Sequence, residues 1–257
     1  MNLSKLFTAP YHLLALSGGK DSTALALGLK EREPDLNVTY YCTPTGNELP
    51  DMLEWWKHLG TILGKPIVPI MHTSLEESIA HNRCLPNFRI RFCTKEIKIW
   101  PARRLLKDLA ADAPVTHYVG LRADEETRLG GAYDDIDGVT SRYPLREWGW
   151  GLGEVLACLD RHGVASCLPE RTDCALCYHQ RIGEWWTLWK DHPKHFARGV
   201  ELETQYGQTL RTPGRDSWPT ALADLGATFA AGYIPKGADQ MSMRSTMSGG
   251  TCRVCSL

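Results

Sequence analysis

Along the first half of the chain, short β-branched or aromatic runs alternate with longer stretches whose apolar residues recur at helical spacing. Tyr11 to Leu16 is apolar and predicts a buried strand, and Ala24 to Lys30 is rich in helix formers. Asn37 to Cys42 reads as a second strand. Leu49, Leu53, Trp56, Leu59 and Leu63 predict a helix over 49–63. Pro66 to Met71 predicts a third strand, Lys95 to Ala111 a helix, and Thr116 to Leu121 a fourth strand. Such alternation calls for an α/β fold, a parallel sheet with helices on both faces. Ligands of such sheets sit outside the carboxyl ends of the strands, where the segments after Leu16, Cys42 and Leu121 begin. From about Tyr143 the pattern changes to helices with Trp, Cys and His, one of them over Gly153 to His162, and then to a Gly-rich tail. The organisation expected is an α/β domain over 1–142 and a helical, Cys-rich lobe over 143–257.

The chain has 257 residues, enough for one such domain with an appended lobe. A formal net charge of −1 provides no global field for general nucleic-acid binding. The N-terminal residues lack the apolar core and cleavage site of a signal peptide, and no apolar run is long enough to span a bilayer. The expectation is a cytoplasmic protein without a membrane partner. Nine cysteines in that compartment point to metal ligation, cluster ligation or thiol chemistry rather than disulfides.

The densest chemistry lies in Ser17-Gly-Gly-Lys-Asp-Ser-Thr23, between the first strand and its helix. Gly18 and Gly19 let the backbone turn sharply and aim N–H groups at one point, and the helix N-terminus adds its positive end. Lys20 contributes a charge, and Ser17, Ser22 and Thr23 contribute hydroxyls. The spacing is neither that of the Walker loop nor that of the dinucleotide fingerprint. After the second strand comes Thr43-Pro-Thr-Gly-Asn-Glu-Leu-Pro50, which would bring Thr45 and Gly46 near a nucleotide. After the fourth comes Gly120-Leu-Arg-Ala-Asp-Glu-Glu-Thr-Arg128. Its Arg122 and Arg128 suit a phosphate or an adenylate, and Asp124 or Glu125 a metal ion.

From Arg83 to Lys107, eight basic residues, Arg91, Lys95 and Lys98 among them, face a single acid, Glu96. Such a run can neutralise pyrophosphate, a phosphosulfate or a nucleic-acid backbone, or can be a solvated helix face. Cys93 lies in this run, and Arg171-Thr-Asp-Cys-Ala-Leu-Cys177 adds a Cys-x-x-Cys. Trp185, Trp186 and Trp189 follow at helical spacing, read as packing, and His179 lies beside the Cys-x-x-Cys. The chain closes on Cys252-Arg-Val-Cys255 after a Gly-Gly hinge.

The order of these motifs resembles the PP-loop ATP pyrophosphatases and, more narrowly, the PAPS-reductase-like branch of the adenine nucleotide α-hydrolase superfamily. Its iron–sulfur members include DNA-phosphorothioation enzymes and sulfonucleotide reductases. The resemblance covers about Tyr11 to Glu203 and implies a Rossmann-like sheet of the adenine nucleotide α-hydrolase type. It implies ATP and Mg²⁺ as cofactors, held by Ser17, Gly18, Gly19, Lys20, Asp21, Ser22, Thr23, Thr45, Gly46, Arg91, Lys95, Arg122 and Arg128. It also implies a [4Fe-4S] cluster on Cys93, Cys174 and Cys177, with Cys167 chosen as the fourth ligand and zinc on the same thiolates as the alternative. Phe92 stands where the reductases have the first cysteine of a pair, and the reductases' Glu-Cys-Gly tail is absent.

The intact loop favours cleavage of ATP to AMP and pyrophosphate, with Lys20 and Asp21 catalytic, to adenylate an acceptor that is then thiolated. Cys252 and Cys255 are read as a catalytic persulfide carrier and resolving thiol, or as ligands of a second metal. The partners implied are a persulfide donor such as a cysteine desulfurase, or a thioredoxin-like reductant, and a nucleic-acid acceptor. A homo-oligomer stays open. The alternatives are a sulfonucleotide reductase that releases sulfite and a non-catalytic nucleotide-sensing subunit.

Overall fold

A computed structural model of the chain describes residues 9–169 and 171–238. Five strands, β1 (Tyr11–Ala15), β2 (Val38–Cys42), β3 (Ile67–Pro69), β4 (Val115–Tyr118) and β5 (Val139–Arg142), form one sheet in the order β3-β2-β1-β4-β5. Every neighbouring pair is parallel, and Leu14 of β1 lies between Tyr40 and Tyr118. Side chains alternate across the sheet, as the pleat dictates. Leu14, Leu16, Tyr40 and Tyr118 enter one core, whereas Tyr11, Leu13, Tyr41 and Val115 enter the other. A central strand covered on both faces is mostly apolar, which is why β1 reads as a nearly continuous run, with His12 matched by the Tyr118 hydroxyl at 2.9 Å.

On the first face lie α1 (Lys20–Arg32), α2 (Pro50–Leu63) and α6 (Leu152–Arg161). On the second lies α4 (Trp100–Ala110), through Leu105, Leu106 and Leu109. The strand order reverses at β1, so a crevice opens between the carboxyl ends of β1 and β4. The remaining helices are α3 (Leu75–Asn82), α5 (Pro144–Glu147), α7 (Ile182–Asp191), α8 (Pro193–Tyr206) and α9 (Leu222–Ala230). Trp185 is fully buried in the lobe, and Trp189 meets Phe229 with ring centroids 5.7 Å apart, so this aromatic stripe is packing.

The α/β class is as expected, with three differences. The helix expected over 95–111 opens as a π-helical turn, Thr94–Ile99, before α4 begins. Pro101 has no N–H to return to an earlier carbonyl, which disfavours a regular α-helix there. Second, β5 and α3 were not anticipated. The residues of β5, Val-Thr-Ser-Arg, are half-exposed and polar at the sheet edge, while α3 carries a capping box between Ser74 and Glu77.

Third, the expected division after residue 142 does not match the packing. Val155, Cys158 and Leu159 of α6 share the core of α1. Conversely, Leu75, Ile79, Phe92 and Ile97 join the lobe core of Leu176, Trp185 and Phe196. Among the described residues, no helix is long and apolar enough to cross a membrane.

Gly28 sits where α1 passes under two indoles: a Cβ there would lie 2.7 Å from Trp148 and 3.1 Å from Trp150. Alanine would gain about 1 kcal/mol of helix propensity. Pushing apart a packed indole pair costs about 1–3 kcal/mol. Gly28→Ala is therefore expected to lower stability, read as a reduced urea midpoint with an unchanged slope.

Candidate functional site

The loop after β1 is held from behind. Gly18 adopts φ +83°, and a Cβ there would lie 2.4 Å from Met52 Cε. Two indoles of α2 take the loop carbonyls: Trp55 Nε1 donates to Gly18 O at 2.8 Å and Trp56 Nε1 to Ser17 O at 3.1 Å. Ser17 Oγ accepts from the Gly19 N–H at 3.3 Å, and Ser22 Oγ donates to Gly19 O at 3.1 Å. With the carbonyls turned to α2, the loop opens onto the first turn of α1, where N–H groups have no partner within their own helix. Ser17, Gly19, Lys20, Asp21 and Ser22 line a cavity of about 650 Å³ at the crevice between β1 and β4. Thr23 is not among its lining residues; it is fully buried, and its Oγ1 has no hydrogen-bond partner among the described residues.

The segment after β2 braces the site. The Thr45 N–H and hydroxyl both donate to Glu48 Oε1 at 2.6 Å, and Glu48, rather than Thr45 or Gly46, lines the cavity. Asn47 is buried and reaches the Cys-x-x-Cys loop. Its carbonyl accepts from the Ala175 N–H at 2.7 Å, and its Oδ1 from the Leu176 N–H at 3.0 Å.

After β4, Arg122 is buried and does not line the cavity. It donates from Nη1 to Asp21 Oδ1 at 3.1 Å and from Nε to Asp124 Oδ1 at 2.8 Å. Arg122 thus ties α1 to this loop through carboxylates. Burial raises the pKa of Asp21, opposed by the charges of Lys20 and Arg122. Asp124 also accepts from the Leu152 N–H, and Glu125 pairs with Arg128 at 3.0 Å, so both acids serve the framework. Arg128 does line the cavity. Arg91 and Lys95 do not: Arg91 interacts with Tyr178, and Lys95 lies over the Trp100 ring at 5.2 Å.

Three cysteines converge at the other end. Cys174 hydrogen-bonds to Cys177, holding the Cys177 pKa below the ordinary thiol value and pushing that of Cys174 well above it. Cys93 interacts with Cys177, and burial raises its pKa. Cys174 lines the same cavity as the loop after β1. Lys98, next to Cys93 and Cys174, and Arg171, next to Cys174 and Cys177, supply positive charge there. Arg171 is ion-paired to Glu184 at 2.8 Å.

The three sulfurs do not all lie within 4.8 Å of one another, wider than the separations of about 3.8 Å that a tetrahedral zinc with Zn–S near 2.3 Å needs. The donor set fits a thiolate-held cluster through three ligands. Cys167, the fourth expected, stands apart: it is exposed and lines a second cavity, of about 700 Å³, with Asp51 and His58. Cys252 and Cys255 lie outside the described residues.

The expectations for site residues missed Glu48, Lys98, Arg171 and Arg181 as cavity residues, although each lies inside or beside a quoted motif. Trp55 and Trp56 were missed as braces; a paired Trp about two turns after the Thr-Gly-x-Glu motif was the signal. His117 and Tyr41 also line the cavity, with Tyr41 Oη 2.9 Å from His117 Nε2. No protein-family model matches the chain, and no curated protein sequence matches it either.

Asn47→Ala removes the acceptor of a buried N–H on Leu176. It is expected to cost about 1–3 kcal/mol and to speed labelling of Cys174 by a thiol reagent, measured as a labelling rate. Burial lowers the pKa of His117 from 6.5 to about 4. Below pH 6.5 the unfolded chain takes up this proton and the folded one does not. Stability should therefore fall as pH drops from 6.5 to 4, by up to about 1.4 kcal/mol per pH unit. Urea melts of the wild type and His117→Gln across that window check this; the variant should have the shallower slope.

Proposed function

We propose that the chain is an ATP-dependent sulfur-transfer enzyme of the PAPS-reductase-like, PP-loop type, which adenylates an acceptor and then thiolates it. One observation carries the reading. A single cavity is lined by the phosphate loop at one end and by Cys174, of the Cys93, Cys174 and Cys177 group, at the other.

The pyrophosphate of ATP would lie on the first turn of α1, with Lys20 against its charge. Glu48 and Asp21, two carboxylates of the cavity wall, would hold Mg²⁺, which would neutralise the phosphates. An acceptor oxygen attacks the α-phosphorus, and pyrophosphate leaves with the bonding pair. The terminal sulfur of a donor persulfide then displaces AMP. A second thiol cleaves the S–S bond, leaving the acceptor thiolated and the two protein sulfurs oxidised to a disulfide. A [4Fe-4S] cluster, held by Cys93, Cys174 and Cys177 with a fourth ligand, would supply electron-transfer or sulfur-binding chemistry at this end. The apolar side chains packed around the cysteines limit water there. A DNA or RNA backbone or base is the acceptor class that the resemblance favours.

Lys98, Arg171 and Arg181 give a second reading some support, since they add positive charge to the lining at the cysteine end. A sulfonucleotide reductase would place its sulfate group there and release sulfite.

Anaerobically purified protein is expected to be brown, with about four irons per chain. With ATP, Mg²⁺ and an acceptor it should release pyrophosphate, and Lys20→Ala should lower the rate about 10²-fold or more. Sulfite release from a phosphosulfate, with no pyrophosphate from ATP, would select the second reading. The absence of both products would overturn the assignment.

A further inference from the structure

Away from the cavity, among the described residues, one group of three metal-ligating side chains brings its ligand atoms within 4.8 Å of one another: Glu31, Cys158 and His162. Cys158 of α6 and His162, the residue that caps its C-terminal end, are four residues apart and share one face. Glu31 comes from the last turn of α1, which packs against α6. We propose that these three residues form a zinc-class metal site that clamps the ends of α1 and α6 together.

Several observations carry this. Cys158 is fully buried, and its thiol makes only a long hydrogen bond to backbone, 3.9 Å to Ala24 O, beside its contact with Arg161. His162 Nε2 is a buried nitrogen 2.8 Å from Glu31 Oε1, so imidazole and carboxylate already face one another. Thiolate, imidazole and carboxylate together suit zinc or cobalt and not magnesium or calcium. A tetrahedral ion needs ligand atoms about 3.3–3.7 Å apart, so the sulfur has to close by at most about 1 Å while the 2.8 Å His162–Glu31 pair opens by about 0.5 Å. Both helices present their C-terminal ends here, where a cation is favoured. The ion would displace the Cys158 proton to solvent, and the fourth position would take water.

Arg161 is the competitor. Its Nη2 lies 2.7 Å from Glu31 Oε2, and its guanidinium also contacts Cys158. Its side chain is 53% exposed and can turn away to solvent. The site lies eleven residues along α1 from Lys20, about 16 Å at the rise of an α-helix. It therefore stands independently of any nucleotide reading.

The test is cobalt titration of the full chain with its other thiols unchanged, followed by thiolate-to-cobalt absorbance and metal content after gel filtration. Wild type is expected to hold one more cobalt than His162→Ala, with a difference spectrum of thiolate-to-cobalt charge transfer. Zinc should displace it. Arg161→Ala should bind about two- to fivefold tighter, the size of an exposed ion pair, and this arm separates a metal site from a plain ion pair. Glu31→Gln, a change on the surface, replaces His162→Ala if that variant does not fold. Equal cobalt content in wild type and the ligand variant, or no gain in Arg161→Ala, would overturn the proposal and leave an Arg161–Glu31–His162 ion pair only.

Discussion

Everything at the cavity depends on the two indole N–H groups that take the carbonyls of Ser17 and Gly18. A sharp glycine turn has carbonyls as well as amides to place, and a carbonyl facing the cavity would repel an anion. Trp55 and Trp56 remove that conflict by drawing the carbonyls to α2. They also fix how α2 seats against α1, since Met52 and Trp55 fill the space that a side chain at position 18 would need. The loop geometry and the packing of the first helical layer are therefore one constraint.

Two buried polar residues extend this order outward. Arg122 joins the start of α1 to the loop after β4 through Asp21 and Asp124, so the two sides of the crevice hold a fixed separation. Asn47 joins the segment after β2 to the Cys-x-x-Cys loop through two backbone N–H groups. Neither link rests on apolar contact. Buried hydrogen bonds of this kind are directional, and leaving their partners unmatched is costly. They give the cavity a definite shape where loops from distant parts of the chain meet.

The sheet and its flanking helices were legible because β1, β2 and the faces of α1 and α2 bury apolar residues in regular periods. The edge strand β5 was not, because half-exposed Thr140 and Ser141 carry no burial pattern. The glycine turn from Ser17 to Ser22, between β1 and α1, was readable, and the approach of Cys93 to Cys177 was implied by the order of the motifs. The roles of individual charges were not. Arg122 has the chemistry of a phosphate ligand, and only its three-dimensional surroundings commit it to carboxylates. Lys98 and Lys95 are alike in a one-dimensional basic run, yet the π-helical turn sends one to the cavity wall and the other over Trp100. Core membership crosses the expected division at 142, because it follows contact in space. Composition changes there, but packing does not.

The lobe core is discontinuous in sequence, with Leu75, Ile79, Phe92 and Ile97 enclosed by residues from Ala175 to Phe229. On the ribosome, the earlier segment emerges long before its cover. At roughly 5–20 residues per second, more than a hundred residues of synthesis means several seconds or longer of exposed apolar surface. Cys93 spends most of that interval before Cys174 and Cys177 have been made. The part of the molecule that encloses the thiols is thus the last to be completed, and a nascent chain halted before Cys174 would carry a finished glycine turn after β1 beside a lone Cys93.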